Sequence, residues 1–299
     1  MDQPTVAIDL GGTHIRVALV ADDGAILAFE RRRTPADEPT PAIIPAMIKE
    51  IGAAHPSAGR PRRAVVGLPG VVDHQEGRLL AAPNLPQNWI EYLNERWLGD
   101  RIGLPVSLAN DADLAAVGES SFGAGRDHRD VVYVTISTGV GAGVVVADRL
   151  VRGSLSGGEI GHTVVDLAAA VDGRPCTVED IGSGTAIERE AAAAGITERG
   201  AALAELVRRG HPEAVAVWNH AICAVGIGIA NLAWIVAPQI VVVGGGVGMN
   251  GDLVTPILDE QITKHGPLTG ATITVATAAL GDQAALAGAA AWWKAVGRG

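Results

Sequence analysis

The feature that most constrains this chain is a strand, a glycine turn and a second strand over residues 6–20, VAIDLGGTHIRVALV. After the Gly11-Gly12 pair, apolar residues alternate with other residues, and this period of two is typical of a strand. A dinucleotide-binding loop or a Walker loop opens a helix instead, so neither of those motifs fits. Two interpretations remain: a Gly-Gly hairpin without a ligand, and a hairpin that binds phosphate.

The hairpin carries groups that suit a phosphate and its metal ion. Glycine lets backbone N–H groups come close to an anion, which favours Gly11 and Gly12 as phosphate contacts. Thr13 adds a hydroxyl donor, and Asp9 at the end of the strand can hold Mg²⁺ through water. We therefore expect phosphate contacts from the glycine turn, with Mg²⁺ near Asp9.

The same pattern recurs about 128 positions later in residues 134–148, VTISTGVGAGVVVAD. Aligning the two segments sets Ser137 against Asp9 and Gly139 against Gly11. A repeated phosphate hairpin indicates two related halves. Such a duplicated layout, with a nucleotide between the halves, resembles the superfamily of actin and the sugar kinases. The alternation of strands and helices along the chain predicts an α/β fold.

Composition excludes several classes of protein. The chain has 299 residues, of which 48% are hydrophobic and 19% charged, as expected of a globular protein with two domains. A formal net charge of −10 argues against a nucleic-acid partner, because phosphate binding along a duplex needs clustered Lys and Arg. Two cysteines, Cys176 and Cys223, give no disulfide framework, and the N-terminus lacks the pattern of a signal peptide. We expect a cytoplasmic protein.

One segment, residues 218–237, is uncharged and long enough to span a bilayer. Asn219, His220 and Asn231 interrupt it, and no cluster of Lys or Arg flanks it. The segment also runs straight into a predicted strand. A buried central helix is therefore the better interpretation, and we expect no membrane partner.

Polar residues follow a predicted strand at Asn110-Asp111. A helix with Trp89, Leu93 and Trp97 on one side leads to this strand, and another helix opens after it. Asp111 stands where the strand ends and the helix begins, a position that suits an anion or a catalytic base. A plain helix N-cap is the alternative for this residue.

Other loops offer groups for a polar ligand. Pro69-Gly70 and Pro83-Asn84-Leu85 are turns that could face one cleft, although ordinary loop chemistry also explains them. Glycines around GGEIGH predict an exposed loop that presents Glu159 and His162, the kind of polar pair that a polyhydroxyl ligand needs. A lone histidine is more often structural. A buried strand stops at Gly244–Gly246, where a planar adenine or another backbone can approach closely.

Seven motifs occur in order along the chain, and together they resemble the ROK family of sugar kinases and repressors. They are DLGGT at Asp9, LPGVVD at Leu68, PNL at Pro83, NDA at Asn110, STGVG at Ser137, GGEIGH at Gly157 and VVVGGG at Val241. The resemblance covers almost the whole chain. It implies an actin-like ATPase (ribonuclease H-like) fold, with two duplicated α/β lobes and a cleft between them. Residues 1–110 with 283–299 would form the small lobe and residues 111–282 the large lobe.

The resemblance also implies a reaction and the residues that perform it. The ATP γ-phosphate, with Mg²⁺, would pass to a hexose hydroxyl, usually the C6 oxygen. Asp111 resembles the family's catalytic base, and the implied sugar contacts are Gly70, Asn84, Asn110, Asp111, Glu159, His162 and Glu179. The implied nucleotide contacts are Asp9, Gly11, Gly12, Thr13, Thr138, Gly139 and Gly141, with Gly244, Gly245 and Gly246 near the adenosine.

The chain departs from the family where a Cys-rich loop usually binds structural zinc. Between His162 and Glu179 there is one cysteine, Cys176, whereas a tetrahedral structural site needs four ligands. We therefore expect no zinc, with Mg²⁺ carried by ATP. The Glu-x-x-x-Ser-Gly frame around Glu179 is kept, but the loop that carries it is changed.

Three functional classes compete: a hexose kinase, a sugar-responsive repressor and a non-catalytic sugar sensor. Family repressors carry a DNA-binding domain before the first phosphate motif, which here begins within ten residues of Met1, so we expect a kinase. Glucose is the expected substrate, with N-acetylmannosamine close behind; fructose, allose, N-acetylglucosamine and a donor other than ATP stay open. The family implies a homodimer, with Trp292 and Trp293 belonging to either the interface or the core.

Overall fold

The structure is a computed structural model, and it describes residues 3–171, 173–267 and 272–297. The strands are β1 (Thr5–Leu10), β2 (His14–Val20), β3 (Ile26–Arg33), β4 (Arg63–Leu68), β5 (Val71–Asp73), β6 (Arg78–Ala81), β7 (Val106–Asn110), β8 (Val131–Ile136), β9 (Val140–Val146), β10 (Arg149–Leu150), β11 (Val164–Val171), β12 (Arg174–Thr177), β13 (Ile240–Gly244) and β14 (Thr274–Thr277). The α-helices are α1 (Ile43–Ala54), α2 (Glu95–Ile102), α3 (Asp111–Phe122), α4 (Val178–Gly182), α5 (Gly184–Ala193), α6 (Gly200–Arg208), α7 (Pro212–Val236), α8 (Gly245–Gly248), α9 (Gly251–His265) and α10 (Ala284–Ala295).

The chain divides into two compact units. The first consists of Met1–Gly123, Asp148–Gly157 and Asp282–Gly299, and the second of Ala124–Ala147 and Gly158–Gly281. This division differs from the expected boundary after residue 110, because α3 lies in the first unit. Its extensive contact with α10 is the physical reason.

The first unit is built on a sheet with the strand order β3-β2-β1-β4-β7. β1 pairs with β2 in antiparallel register and with β4 in parallel register, and β4 is also parallel to β7. Apolar residues of β1 and β2 share a core with α1, where Ile8, Leu10 and Ile15 are buried together with Ile44 and Met47. The period of two predicted for the first hairpin therefore matches one buried face of this sheet.

Helices α3 and α10 cross at very short distance through two glycines. A Cβ added to Gly118 would lie 2.1 Å from the carbonyl oxygen of Ala284, and one added to Gly288 would lie 2.0 Å from that of Leu114. Because no larger residue fits at such a crossing, the glycines fix how deeply α3 sits on α10. This crossing therefore also sets the position of the N-terminus of α3, which carries Asp111.

The second unit repeats the plan of the first. β9, β8, β13 and β14 are hydrogen-bonded in that order, with β8–β9 antiparallel and β13 parallel to both β8 and β14. The predicted internal repeat is thus confirmed, since β8 and β9 correspond to β1 and β2. α7 packs in the core of this unit through residues that include Ile222, Val225 and Ile229.

Two predictions about helices can be compared with the structure. α7 alone among the described residues is long and apolar enough to cross a membrane by length and composition, and half of its most apolar window is buried within the protein. The single helix expected over residues 89–97 is wrong. A 3₁₀ turn at Gln87–Tyr92 ends at Leu93, and α2 starts anew because the Asn94 side chain accepts a hydrogen bond from Trp97 N (2.7 Å).

Trp292 belongs to the core of the first unit. It is fully buried, and its indole N–H donates to Ser107 Oγ at 3.0 Å. Trp293 is half-buried beside Arg63, whose guanidinium carbon lies 5.6 Å from the ring centroid.

Candidate active site

In the first unit, the sheet topology brings three predicted site segments to one edge. β1, β4 and β7 run parallel and end at Leu10, Leu68 and Asn110. The residues that follow these ends are the glycine turn, Gly70 and Asp111. Carboxyl ends of parallel strands are where α/β folds bind ligands, so the topology supports a site at this edge.

The first hairpin is tied down by hydrogen bonds on both sides of its turn. Gly11 N donates to His14 O (2.9 Å), which closes the turn. Thr34, just after β3, donates from its backbone N to Thr13 O (2.9 Å) and from Oγ1 to Gly11 O (2.6 Å). Gly12 and Thr13 themselves are exposed. The turn is therefore fixed in shape while its tip stays open to a ligand.

Gly12 also brings Asn84 to this hairpin. A Cβ on Gly12 would lie 2.1 Å from the carbonyl oxygen of Asn84 and 3.6 Å from its Cβ. The close approach requires glycine at this position, and the exposed side chain of Asn84 stands next to the turn. A predicted sugar residue and a predicted phosphate loop are thus in direct contact within one unit.

A hydrogen bond joins Gly70 and Asn110. Gly70 has φ +108, and a Cβ there would lie 2.1 Å from Ala81 O. Asn110 Nδ2 donates to Gly70 O at 3.1 Å. The buried Asn110 side chain also accepts from Ala112 N (2.8 Å) and Asp113 N (3.3 Å) through Oδ1. These bonds make Asn110 the N-cap of α3 and tie the start of the helix to the loop at Gly70.

The structure corrects the N-cap alternative for Asp111. Asn110 caps α3, so Asp111 is the first helical residue, and its Oδ1 accepts from Ala112 N at 2.9 Å. Its side chain is half-buried at the helix N-terminus, where the helix dipole favours a negative charge. A carboxylate at this position is a candidate for a general base.

Asp9 and the basic residues behind the hairpin form a second polar group. Arg16 Nε donates to Asp9 Oδ2 at 2.6 Å, and its Nη1 donates to Asp282 O at 2.7 Å. Desolvation lowers the pKa of His14, and the positive charges of Arg31, Arg33 and Arg16 lower it further. The Asp9 carboxylate is therefore held by Arg16 in a region of positive charge.

In the second unit, the hairpin loop is anchored by the start of α5. Gly184 N donates to Ser137 O (2.6 Å), and Thr185 Oγ1 donates to Thr138 O (2.8 Å). Ser137 N donates to Gly139 O at 2.9 Å across the turn, and Gly141 follows in β9. The predicted phosphate residues of this half thus lie together on one fixed loop.

The three glycines that begin at the end of β13 have different surroundings. Gly245 has φ +82, and a Cβ there would lie 2.5 Å from Ile136 O. A Cβ on Gly244 would lie 2.4 Å from Tyr133 Oη, whereas one on Gly246 would meet nothing within 4 Å. Gly244 and Gly245 therefore pack on β8, and Gly246 faces open space.

That open space is part of a cavity of about 480 Å³ within the second unit. Its lining residues are Ser137, Thr138, Gly184, Thr185, Ile187, Glu188, Gly200, Ala201, Leu203, Trp218, Gly246, Val247, Met249 and Asn250. The volume lies within the usual range for small-molecule sites, about 300–1,000 Å³. Its apolar walls suit a planar base, and Thr138 places the hairpin loop at its margin.

Several lining residues carry no signal in the sequence motifs. Thr185 is anchored to the loop, Glu188 Oε1 accepts from Gly200 N at 3.1 Å, and Asn250 Nδ2 donates to Gly246 O at 3.1 Å. The Gly-Ser-Gly turn before α5 was the one available hint. Without tertiary contacts, nothing links it to the loop at Thr138.

Glu159 and His162 are both exposed on a short turn, as the glycines predicted. Gly158 and Gly161 pack against β9, where added Cβ atoms would lie 2.2 Å from Ala142 O and 2.1 Å from Val140 O. Desolvation raises the pKa of Glu159 even though the side chain keeps solvent contact; His162 opposes this shift and Glu179 adds to it. Carboxylates and an imidazole thus share one region.

Glu179 lies against the second hairpin. Its Oε2 accepts from Val140 N at 2.8 Å, and a Cβ on Gly139 would lie 2.5 Å from the same oxygen. A Cβ on Gly161 would lie 3.5 Å from Glu179 Cβ. The Glu179 carboxylate therefore accepts a hydrogen bond from the backbone of the second hairpin, and its side chain also lies next to Gly161 of the GGEIGH motif.

Between His162 and Glu179 the chain forms a β-hairpin, β11–β12. Cys176 is a buried free thiol within it. Across residues 3–171, 173–267 and 272–297, no group of three or more His, Cys, Asp and Glu side chains could hold a metal ion.

Comparison with known proteins agrees with this geometry. The ROK family model matches residues 5–296. The chain is 32% identical to a glucokinase of Streptomyces coelicolor over 315 aligned positions, which cover 96% of each protein. It resembles the crystal structure of a ROK hexokinase from Thermus thermophilus, with a TM-score of 0.83, 31% identity and coverage of 96% of this chain and 97% of that one.

A second solved structure is a ROK family glucokinase from Streptomyces griseus in complex with glucose and AMPPNP. The TM-score is 0.74 at 30% identity, with coverage of 97% of this chain and 98% of that one. These likenesses confirm the predicted actin-like ATPase fold. The chain belongs to the ROK family.

Proposed function

We propose that the chain is an ATP-dependent kinase that transfers the γ-phosphate to the C6 hydroxyl of glucose. The glucokinase of Streptomyces coelicolor and the glucokinase structure with glucose and AMPPNP support both the sugar and the donor. The observation that carries the proposal is the contact between Gly12 and Asn84. It joins a phosphate loop to a sugar residue at the strand-end edge that also carries Asp111.

Asp111 is the general base in this proposal. It takes the proton of the sugar hydroxyl as the phosphoryl group arrives. Asn110 caps α3 and donates to Gly70 O, so it fixes the helix start that carries Asp111. Asn110 and Gly70 would hold the sugar hydroxyls together with Asn84, since neutral sugars are bound through hydrogen bonds.

The second unit supplies the nucleotide site in this proposal. The adenine would occupy the cavity beside Gly246, and the phosphates would lie against Thr138, Gly139 and Gly141. Gly11, Gly12 and Thr13 are the proposed phosphate donors of the first unit. Glu159, His162 and Glu179 are the proposed sugar contacts of the second unit.

Mg²⁺ carried by ATP would neutralise charge on the transferred phosphoryl group. Asp9 is the carboxylate that would hold such an ion, through water, while Arg16 balances part of its charge. Arg16 holds Asp9 through Oδ2, and Oδ1 is the oxygen that can accept a hydrogen bond from a metal-bound water.

The test is an ADP-release assay with ATP and Mg²⁺ across glucose, N-acetylmannosamine, N-acetylglucosamine, fructose and allose. Glucose should give the highest kcat/KM. Inorganic polyphosphate in place of ATP tests the donor. Asp111→Asn should lower kcat by about 10²- to 10⁴-fold, the usual contribution of a general base, and leave glucose binding by calorimetry nearly unchanged. Near wild-type kcat in this variant would remove Asp111 from the role of base.

A non-catalytic sugar sensor is the alternative of another class. It would bind glucose without releasing ADP in the same assay. Faster turnover of another hexose would support the kinase reaction but show that glucose is not the preferred substrate.

We further propose that the enzyme acts in the cytoplasm as a homodimer. On α7, Trp234 and Ile235 are 56% and 80% exposed, which gives the second unit an apolar surface suited to self-association. Light scattering coupled to size exclusion measures the mass directly. A monomer at micromolar concentration would contradict the dimer.

A further inference from the structure

The short helix that carries Glu179 is held by a compact set of polar bonds. α4 has five residues, too few to be stable as an isolated helix. Thr177 caps it: Thr177 N and Oγ1 both donate to Asp180 Oδ2, at 2.9 and 2.8 Å, and Asp180 N donates back to Thr177 Oγ1 at 3.3 Å. This reciprocal capping box fixes the first turn of α4.

Arg174 extends the capping box to the preceding hairpin. Its Nη1 donates to Asp180 Oδ2 at 2.6 Å and its Nη2 to Oδ1 at 3.1 Å, a two-pronged ion pair. The Asp180 side chain is 15% exposed and that of Arg174 is 53% exposed. Arg174 thus links the start of β12 to Asp180, the third residue of α4. The hydrogen bonds from Arg174 hold the pKa of Asp180 far below its usual range.

Glu179 lies between these two anchored positions. Val178 N donates to Thr163 O (2.9 Å) on one side of it, and Arg189 Nη2 donates to Asp180 O (2.9 Å) on the other. Its carboxylate reaches Val140 N through Oε2. Oε1 is the oxygen left for a ligand. A shift of the α4 backbone would move this oxygen directly.

We propose that Arg174 and Asp180 are positioning residues that aim Glu179 at the sugar. The proposal rests on the proposed function, since it assumes that Glu179 contacts the hexose. Neither residue touches the substrate. Both act by fixing the backbone of α4, Asp180 through the capping box and Arg174 through its ion pair with Asp180.

The test measures the Kd of the hexose that the wild-type enzyme phosphorylates, by calorimetry without nucleotide. Arg174→Ala should weaken binding by about threefold to tenfold, as expected for loss of a partly exposed two-pronged ion pair. Arg174→Lys should recover part of the loss, because lysine keeps the charge but only one prong. Arg209→Ala is the matched control: it removes the exposed Arg209–Glu205 pair on α6, and the Kd should stay unchanged.

A double variant separates positioning from general stability. If Arg174 acts through Glu179, then Arg174→Ala adds little to the loss already caused by Glu179→Gln. Additive losses would overturn the inference, and so would a lower melting temperature of Arg174→Ala with an unchanged Kd. Should Arg174→Ala fail to fold, Arg174→Lys and Asp180→Asn carry the same comparison, since asparagine keeps an acceptor for Thr177.

Failure of the inference is distinct from failure of the proposed function. A wild-type protein that phosphorylates no hexose overturns the proposed function, and the inference with it. A wild-type kinase whose sugar Kd is insensitive to Arg174 overturns the inference alone.

Discussion

Gly12→Ala offers a direct test of how the phosphate hairpin is assembled with Asn84. The new Cβ would lie 2.1 Å from Asn84 O, whereas real Cβ atoms essentially never approach another heavy atom closer than 3.0 Å. Asn84 or the hairpin must therefore move by about 0.9 Å. Thr34 holds the hairpin by two hydrogen bonds, so we expect the segment around Asn84 to give way.

The magnitude follows from this displacement. Forcing one extra methyl group into a packed contact costs about 1–3 kcal/mol. If that cost falls on the transition state, kcat/KM for glucose drops by about 5- to 150-fold, since about 1.4 kcal/mol corresponds to a factor of ten. Misplacing a substrate-positioning group by about 1 Å can have an effect of about 10²-fold, within the same range.

Gly11→Ala is the matched control in the same turn. Its Cβ would lie 3.2 Å from His14 O, a tight contact that a few tenths of an ångström relieve. An ADP-release assay over a range of glucose and ATP concentrations should show a much larger loss for Gly12→Ala, with melting temperatures that differ little. Equal values of kcat/KM for Gly11→Ala and Gly12→Ala would refute the argument that the contact with Asn84 requires glycine at position 12.

Three further predictions concern stability and metal content. Gly288→Ala should lower the free energy of unfolding by about 1–3 kcal/mol, because its Cβ would lie 2.0 Å from Leu114 O. Gly52→Ala in α1 is the control, since its Cβ would meet nothing within 4 Å and should not lower that free energy. Equal urea midpoints for these two variants would contradict the prediction. Bonds from Arg174 and Thr177 lower the pKa of Asp180 below 3.8, so its stabilising contribution is complete above that pH and is lost as the pH falls further. The difference in urea midpoint between wild type and Asp180→Asn should therefore narrow below about pH 4, and a widening gap would count against the ion pair. Elemental analysis should find far less than one zinc per subunit, and chelation followed by excess Mg²⁺ should leave activity intact; loss of activity that zinc alone restores would show a structural metal.

The sequence predicted those features that local pattern determines. Alternating apolar residues and a glycine pair predicted the hairpin at β1–β2, and its recurrence predicted the second hairpin at β8–β9. The position of Asp111 at the junction of a strand and a helix was also legible. These signals depend on neighbours within a few residues along the chain, so periodicity and turn chemistry suffice to find them.

The sequence did not predict which residues cap the helices or which distant segments come into contact. Whether Asn110 or Asp111 caps α3 depends on the conformation of a single residue, and the residue types alone allow both. The nucleotide-sized cavity draws its walls from segments between Ser137 and Asn250. The break between Tyr92 and Glu95 depends on the Asn94 cap, which outweighs the helical spacing of Trp89, Leu93 and Trp97.

Glycines in the same motif differ in what they do, and the difference is physical. Among the three glycines at the end of β13, Gly244 and Gly245 leave no room for a Cβ against β8, whereas Gly246 borders open cavity space. In this motif, the two glycines packed against β8 serve the fold, whereas the glycine that faces the cavity leaves space for a ligand. Gly246 is therefore the one of these three glycines at which a side chain would enter the proposed nucleotide cavity without disturbing the sheet.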